Sequence, residues 1–337
     1  MKGLLIFNYN AEEDARLVHK LTTILACVDR YFLSRSWEGG PHLKITFDED
    51  TKASVIRRAK DDINQVMNEI LINEELERQL IQKYERNAST LAKLENKEEA
   101  SAIEEHGTIK MVDHHFFYHN REITDLFNEM RFEARALLTD LYMYIHKHNI
   151  KLSHAFPVLF HYVSEVYKED GKNKGYFSFI SHVHGFFELS KKQGLSYSEA
   201  EFEKHYQAER SSMVLFAEKH SGFINQWSTY WKKSFHKLKI NIDDVIDENY
   251  LEEMEESFSS LKEFTNDFHH RFSDYASKQG FIYDPSATAY RFLINSLYMC
   301  LPFLRVSALK KQQFIYMAYR YTEELNDVTW REQIGIR

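Results

Sequence analysis

Three polar side chains stand on alternating positions just past a Gly39-Gly40-Pro41 turn: His42, Lys44 and Thr46 in "PHLKITF". On a strand they project from one side. An imidazole, an ammonium and a hydroxyl on one rigid edge can hold a substrate; the other reading is a solvated sheet face. A second dense region lies near the C-terminus, "YRFLINSLYMCLPFLRVSALKKQQFIYMAYRYTEEL", with Ser296, Tyr298, Arg305 and the tyrosines Tyr316, Tyr319 and Tyr321. A phenol and a hydroxyl at a cleft wall can donate or shuttle a proton; otherwise these tyrosines pack with their hydroxyls at a wet edge. The run "DHHFFYHN" carries His114, His115 and His119. His115 and His119 would share a face only on a helix, whereas the intervening Phe116-Phe117-Tyr118 reads as strand, and no HExxH accompanies them. No metal centre is expected. The pairs His182/His184 and His269/His270 point apart on their helices, and His154 and His161 lie two turns apart.

The elements that must position these groups start with a strand in "GLLIFNY". A helix follows in "AEEDARLVHKLTTILACV", with Ala15, Val18, Leu21 and Leu25 at helical spacing and acids in its first turn. "DRYFLSRSW" and "PHLKITF" alternate, with Leu43, Ile45 and Phe47 on one face of the latter, so the start reads β-α-β-turn-β. A charged helical stretch from Lys52 to Glu105 follows, read as an exposed helix or helical hairpin, and "GTIKMVDHHFFYHN" as strand or loop. Helices are predicted over 121–148, 152–169, 176–192, 198–220, 243–276, 286–304 and 308–326, with breaks at "KEDGKNKG", "KKQGLS" and "SKQGFIYDPSA". Pro302 kinks or ends its helix. The fold class is therefore α+β, predominantly helical: a small N-terminal β-α-β-β sheet region followed by a helical body. One domain over 1–337 is expected, with a β-rich start (1–50), charged helices and a connector (51–120) and the helical body (121–337).

Composition narrows the classes. The 337 residues suffice to bury a core without disulfides or metals. Aromatic content of 15% with only 11 Gly and 4 Pro excludes collagen-like and low-complexity chains. A net charge of −8 argues against general nucleic-acid binding. Cys27 and Cys300, each in an apolar helical context, read as reduced and buried. No signal peptide or membrane-length apolar run is present, so a cytoplasmic protein without a membrane partner is expected. GxxxxGK[ST], GxGxxG after a strand, GxSxG and CxxC are all missing, which removes the usual support for nucleotide, dinucleotide and hydrolase readings.

The order "LLIFNYN…EEDARLVHKLTTIL…VDRYFLSRSWEGGPHLKITF" resembles the opening of the lantibiotic-dehydratase C-terminal domain, also called the thiopeptide-type bacteriocin biosynthesis domain. The residues carrying the resemblance are Tyr31, Phe32, Arg35, Trp37, Gly39, Gly40, Pro41, His42, Leu43 and Phe47; the last helices are similar more weakly, and the middle only in being helical. In full-length members this domain follows a large glutamylation domain and eliminates glutamate from glutamylated Ser or Thr. This chain looks like a stand-alone member, a group that includes the thiopeptide pyridine synthases.

Departures from the pattern choose between these activities. Eliminating members carry R-x-R after the histidine, where this chain has Lys44 and Thr46. They carry a Y-x-x-E-x-x-R-Y-G-G-like motif that "DHHFFYHNREI" does not match, and a Ser-Leu-x-His stretch that here reads Ser296-Leu297-Tyr298-Met299. Elimination needs cations for the leaving carboxylate and a base for the α-proton. A formal aza-[4+2] cycloaddition of two dehydroalanines needs orientation and modest proton transfer instead. The resemblance therefore implies a pyridine synthase acting on a ribosomally made precursor peptide with a leader, alongside other biosynthetic enzymes. Water and the leader would be lost, and no cofactor is implied. Glutamate elimination in a split dehydratase and a non-catalytic leader-binding scaffold are the alternatives. The expected catalytic residues are Tyr298, Ser296 and His42, with Lys44, Thr46, Arg35, Tyr118 and His115 binding substrate. The hairpin would frame the cleft, and Tyr298 with Ser296 its opposite wall.

Overall fold

The computed structural model of the chain describes residues 1–94, 102–195, 197–260, 263–278 and 280–335, with the backbone alone for 87–94 and 244–245. The elements in order are β1 (Lys2–Phe7), α1 (Asp14–Ile24), β2 (Tyr31–Ser36), β3 (His42–Phe47), α2 (Ala53–Glu69), α3 (Glu74–Leu94), β4 (Ile109–Asp113), α4 (Arg121–Lys147), α5 (Leu152–Ser164), β5 (Lys168–Glu169), β6 (Lys172–Asn173), α6 (Tyr176–Lys192), α7 (Glu199–Lys219), α8 (Ser221–Ile240), α9 (Ile242–Val245), α10 (Glu248–Ser260), α11 (Asp267–Lys278), α12 (Pro285–Cys300), α13 (Ala308–Asn326) and α14 (Trp330–Gln333). The predicted α+β class, a small sheet followed by a helical body, is what the chain adopts. Its contacts group into two compact units.

The first unit comprises 1–117, 131–147 and 302–305. Its sheet runs β2-β3-β1-β4, antiparallel throughout. Alternation assigns the faces. Leu4 and Ile6 of β1 pair with Ile45 and Leu43 of β3, and these, with Leu33 and Phe47, are buried together with Leu17, Val18 and Leu21 of α1 and Ile56 and Ile63 of α2. The other face of β3 carries His42, Lys44 and Thr46, opposite Phe7, Leu5 and Gly3. The hairpin turn depends on glycine at Gly40. Its φ of +110° lies in the left-handed half of backbone space, and a Cβ there would stand 2.2 Å from the Tyr9 hydroxyl.

The second unit comprises 118–130, 148–301 and 306–337. It is a helical assembly in which α5 packs with α7, α8 and α13, α6 with α11 and α13, and α8 with α12. Trp227 and Trp231 of α8 are fully buried, and Trp227 Nε1–H donates to the Leu159 carbonyl at 3.0 Å.

Several expectations are corrected. Cys27 is exposed; Cys300 is the buried cysteine. The charged stretch breaks after Ile70, where the Asn73 side chain accepts from the N–H groups of Glu75 and Leu76 and starts α3. Its residues 95–101 lie outside the described ones. The helix α8 occupies a stretch between the predicted helices 198–220 and 243–276. The single helix expected over 243–276 is replaced by α9, α10 and α11, where Asp247 caps α10 through the N–H of Tyr250 and Asn266 caps α11 through that of His269. The helix expected over 286–304 ends at Cys300, just before Pro302.

Candidate functional site

Chemistry-bearing groups gather at three places. Two are in the first unit. On the sheet face around Lys44, the glycine at Gly3 leaves room for the lysine side chain: a Cβ at Gly3 would lie 3.2 Å from Lys44 Cε. Among the described residues no carboxylate pairs with Lys44. Burial, then the nearby Arg131 cation, hold its pKa below the usual lysine range. Arg131 lies over the Phe32 ring at 3.9 Å and the Phe116 ring at 5.3 Å. His114 sits edge-on to Phe32 with both ring nitrogens buried and unpaired. Burial and the positive charges of Lys44 and Arg131 push its pKa down to about 3. The Thr46 hydroxyl is also buried without a partner. His42 is 6% exposed. Its Nδ1–H donates to the Gly40 carbonyl at 3.0 Å and its ring packs on Phe7, so it sits beneath the turn rather than on an open face. The solvated-face reading does not hold for this strand.

The second place is a buried ionic node. Asp14, 1% exposed, accepts from Arg35 Nη1 at 3.0 Å and Nη2 at 2.5 Å, from Arg305 Nε at 3.1 Å, and from the Tyr142 hydroxyl. Burial alone would raise the Asp14 pKa; the two guanidiniums outweigh it and hold the carboxyl below the usual carboxylate range. Arg35 Nε–H donates to the Phe303 carbonyl at 3.0 Å. The guanidinium of Arg35 is thereby engaged along its whole fork.

The third place lies in the second unit, where α6, α12 and α13 bring His182, Tyr298 and Lys311 together. The Tyr298 hydroxyl is buried with no hydrogen-bond partner, an omission that costs about 1–3 kcal/mol. Burial raises its pKa well above the ordinary phenol value. The His182 ring stands edge-on to Tyr298, centroids 5.1 Å apart. His182 Nδ1 is 2.8 Å from the Ser178 carbonyl. A carbonyl only accepts, so Nδ1 carries the proton and Nε2 keeps its lone pair. Burial, then Lys311, push the His182 pKa down to about 4, so the ring is neutral near pH 7. Lys311 Nζ lies 4.5 Å from the Tyr298 ring centroid, and burial lowers its pKa. The Tyr290 hydroxyl, two turns earlier on α12, is likewise buried and unpaired. The arrangement is a neutral acid beside a neutral base, with a cation over the acid's ring.

The remaining expected residues are placed as follows. Ser296 is buried on α12, but side chains two apart on a helix diverge by about 200°, so it does not share the Tyr298 face. The Tyr118 hydroxyl accepts from Asn295 Nδ2 at 2.7 Å. His115 is exposed. His119 contacts Asp247 at 3.3 Å and Glu253 at 3.2 Å. Among the described residues no group of three or more His, Cys, Asp and Glu side chains could hold a metal ion. Sequence reasoning missed Lys311, Arg131 and Asp14 and set His182 aside. Their one sequence signal is a charged or polar residue on an otherwise apolar helix face.

No family model matches the chain, and no curated protein sequence matches it. In three dimensions it is similar to the pyridine synthase TbtD, from thiomuracin biosynthesis, with a TM-score of 0.67 at 13% identity over 97% of this chain and 99% of that one. It is also similar to TsrL, with a TM-score of 0.62 at 16% identity over 99% of this chain and 97% of that one. The fold is thus shared nearly end to end with both proteins. No helix among the described residues is long and apolar enough to cross a membrane.

Proposed function

We propose that this chain is a pyridine synthase of thiopeptide biosynthesis. It joins two dehydroalanines of a modified ribosomal peptide by a formal aza-[4+2] cycloaddition, with loss of water and of the leader peptide. The observation that carries this reading is the Tyr298–His182–Lys311 arrangement, in a fold similar over its length to TbtD. Such a substrate is uncharged at its reacting atoms, so it needs alignment and neutral proton transfer more than a charged clamp. Forming the iminol moves one proton off the amide nitrogen and one onto its carbonyl oxygen. His182 Nε2 accepts the first and the Tyr298 hydroxyl gives the second. The Lys311 ammonium over the phenol ring stabilises the phenolate that develops. After ring closure the hydroxyl leaves as water and the leader as its amide. Each departure takes a proton from the new ring and delivers one to the leaving group: in the first the phenolate takes and the imidazolium gives, in the second the imidazole takes and the phenol gives, and a last proton passing from imidazolium to phenolate restores the starting forms.

The test is mass spectrometry of the purified protein with a leader-bearing peptide containing azoles and two dehydroalanines. Loss of water together with release of the leader amide is expected; an unchanged mass would overturn the reading. One observation favours a second reading. Lys44 and Arg131 gather positive charge on the sheet face of the first unit, as a leaving glutamate carboxylate would require. Loss of glutamate from a glutamylated peptide would identify a split dehydratase's eliminating subunit instead. Binding of either peptide without turnover would identify a scaffold.

A further inference from the structure

In the second unit, Arg291 of α12 is half-buried, and no anionic side chain lies against it among the described residues. Its Nη1 donates to the Tyr250 hydroxyl at 2.6 Å and approaches Met254 Sδ at 2.7 Å. Its Nη2 is buried with no acceptor, and among the described residues no carboxylate pairs with it. The Phe258 ring centroid lies 5.8 Å from the guanidinium carbon. Because the Tyr250 oxygen accepts from Arg291, its own proton is left to donate elsewhere. One turn along α12, Asn295 Nδ2 donates to the Tyr118 hydroxyl at 2.7 Å, so that phenolic proton is likewise unspent. The neighbouring acids are engaged: His119 contacts both Asp247 and Glu253.

A half-buried cation without a counter-charge is disfavoured, and its buried Nη2 donor with no acceptor adds to the cost. Arg291 Nη2 and the protons of Tyr250 and Tyr118 are donors that no acceptor among the described residues receives, a pattern that suits an anion. There is one guanidinium, flanked by a thioether and a phenyl ring, with Asp247 and Glu253 nearby. That environment suits a singly charged planar anion and penalises a phosphate dianion. We propose that Arg291, with the hydroxyls of Tyr250 and Tyr118, forms a binding site for one carboxylate of a peptide. The carboxylate is either an Asp or Glu side chain or a chain terminus. This site does not depend on the reaction proposed above.

Thermal unfolding with three small probes at matched ionic strength tests it. N-acetylglutamate α-methylamide carries only a side-chain carboxylate, N-acetylglutamine only a terminal one, and N-acetylglutamine methylamide none. Wild-type protein should be stabilised by a carboxylate probe and not by the neutral one, and whichever carboxylate acts identifies the source. Tyr250→Phe should weaken that probe roughly tenfold. Arg291→Gln should abolish its effect while leaving the unliganded protein at least as stable as wild type, because an unpaired, half-buried cation has been removed. A marked loss of stability in Arg291→Gln would mean a structural cation and overturn the proposal. So would an unchanged affinity in Tyr250→Phe, or an equal response to the neutral probe.

Discussion

Tyr298 and His182 divide the proton transfers between them, and each half can be removed separately. Tyr298→Phe should cost at least roughly tenfold in turnover while peptide binding stays near wild type, measured as kcat against Kd. His182→Gln should lose about a hundredfold. The pH profile separates a base from a bystander. His182 must be neutral to accept a proton, and its pKa is pushed down to about 4. The rate should therefore hold as pH falls past 6 and drop only as it passes through about 4; an acid limb at the ordinary histidine value would assign the base to another group. Asp14 makes a different kind of claim. Asp14→Asn leaves Arg35 and Arg305 around a neutral amide, and chemical denaturation should show a loss of about 3–5 kcal/mol. Asp14 stabilises in its charged form. That contribution is complete above the unfolded carboxylate pKa and lost as pH falls through the lower folded value.

At the scale of elements, the hairpin between β2 and β3 offers a sharp test. Gly40→Ala forces a side chain into a left-handed backbone and onto the Tyr9 hydroxyl, which itself donates to the Glu104 carbonyl at 2.8 Å. A loss of about 1–3 kcal/mol is expected. Adding Tyr9→Phe should recover part of it, measured as the coupling in a double-mutant cycle. This hairpin was legible in the sequence because two strong local signals agree: Gly-Gly-Pro enforces the turn, and Leu43, Ile45 and Phe47 alternate beside it. The helix α8 was not, although Ile224, Trp227, Trp231 and Leu238 recur at helical spacing. No side chain caps its start at His220, and lysines and serines dilute the pattern. The breaks around α10 and α11 are hard to see in the sequence because Asp247 and Asn266 punctuate the chain without glycine or proline. The candidate site was half legible for a related reason. Tyr298 stands in a dense aromatic helix that invites attention. Its partners His182 and Lys311 come from α6 and α13, and only packing brings them to it. Ser296, two residues from Tyr298, looks adjacent in sequence and is turned away by the helix.

Across the whole molecule, burial of histidines sets the acid limit. His161, His182, His184 and His269 have pKa values pushed down to about 4, and His114 to about 3, each by burial first. An unfolded chain protonates these side chains near pH 6.5. Unfolding therefore takes up protons between about pH 6.5 and 4, and stability is full above that window and falls as pH drops through it. Each histidine contributes a slope of up to about 1.4 kcal/mol per pH unit. Urea midpoints followed from pH 7 to 4.5 should fall steeply; a flat profile would mean that the rings charge inside the fold. The order of the chain has a consequence of its own. It passes from one compact unit to the other at 117/118, 130/131, 147/148, 301/302 and 305/306. Asp14 therefore waits for Arg305, 291 residues later, before its ionic node is complete. During synthesis the strands of the sheet emerge well before residues 302–305, the segment that completes their unit. No single cut in the gene would release either unit whole. A ribosome stalled after 117 would hold a sheet whose Asp14 carboxylate still lacks Tyr142 and Arg305, a nascent chain that depends on residues far along the sequence to become stable.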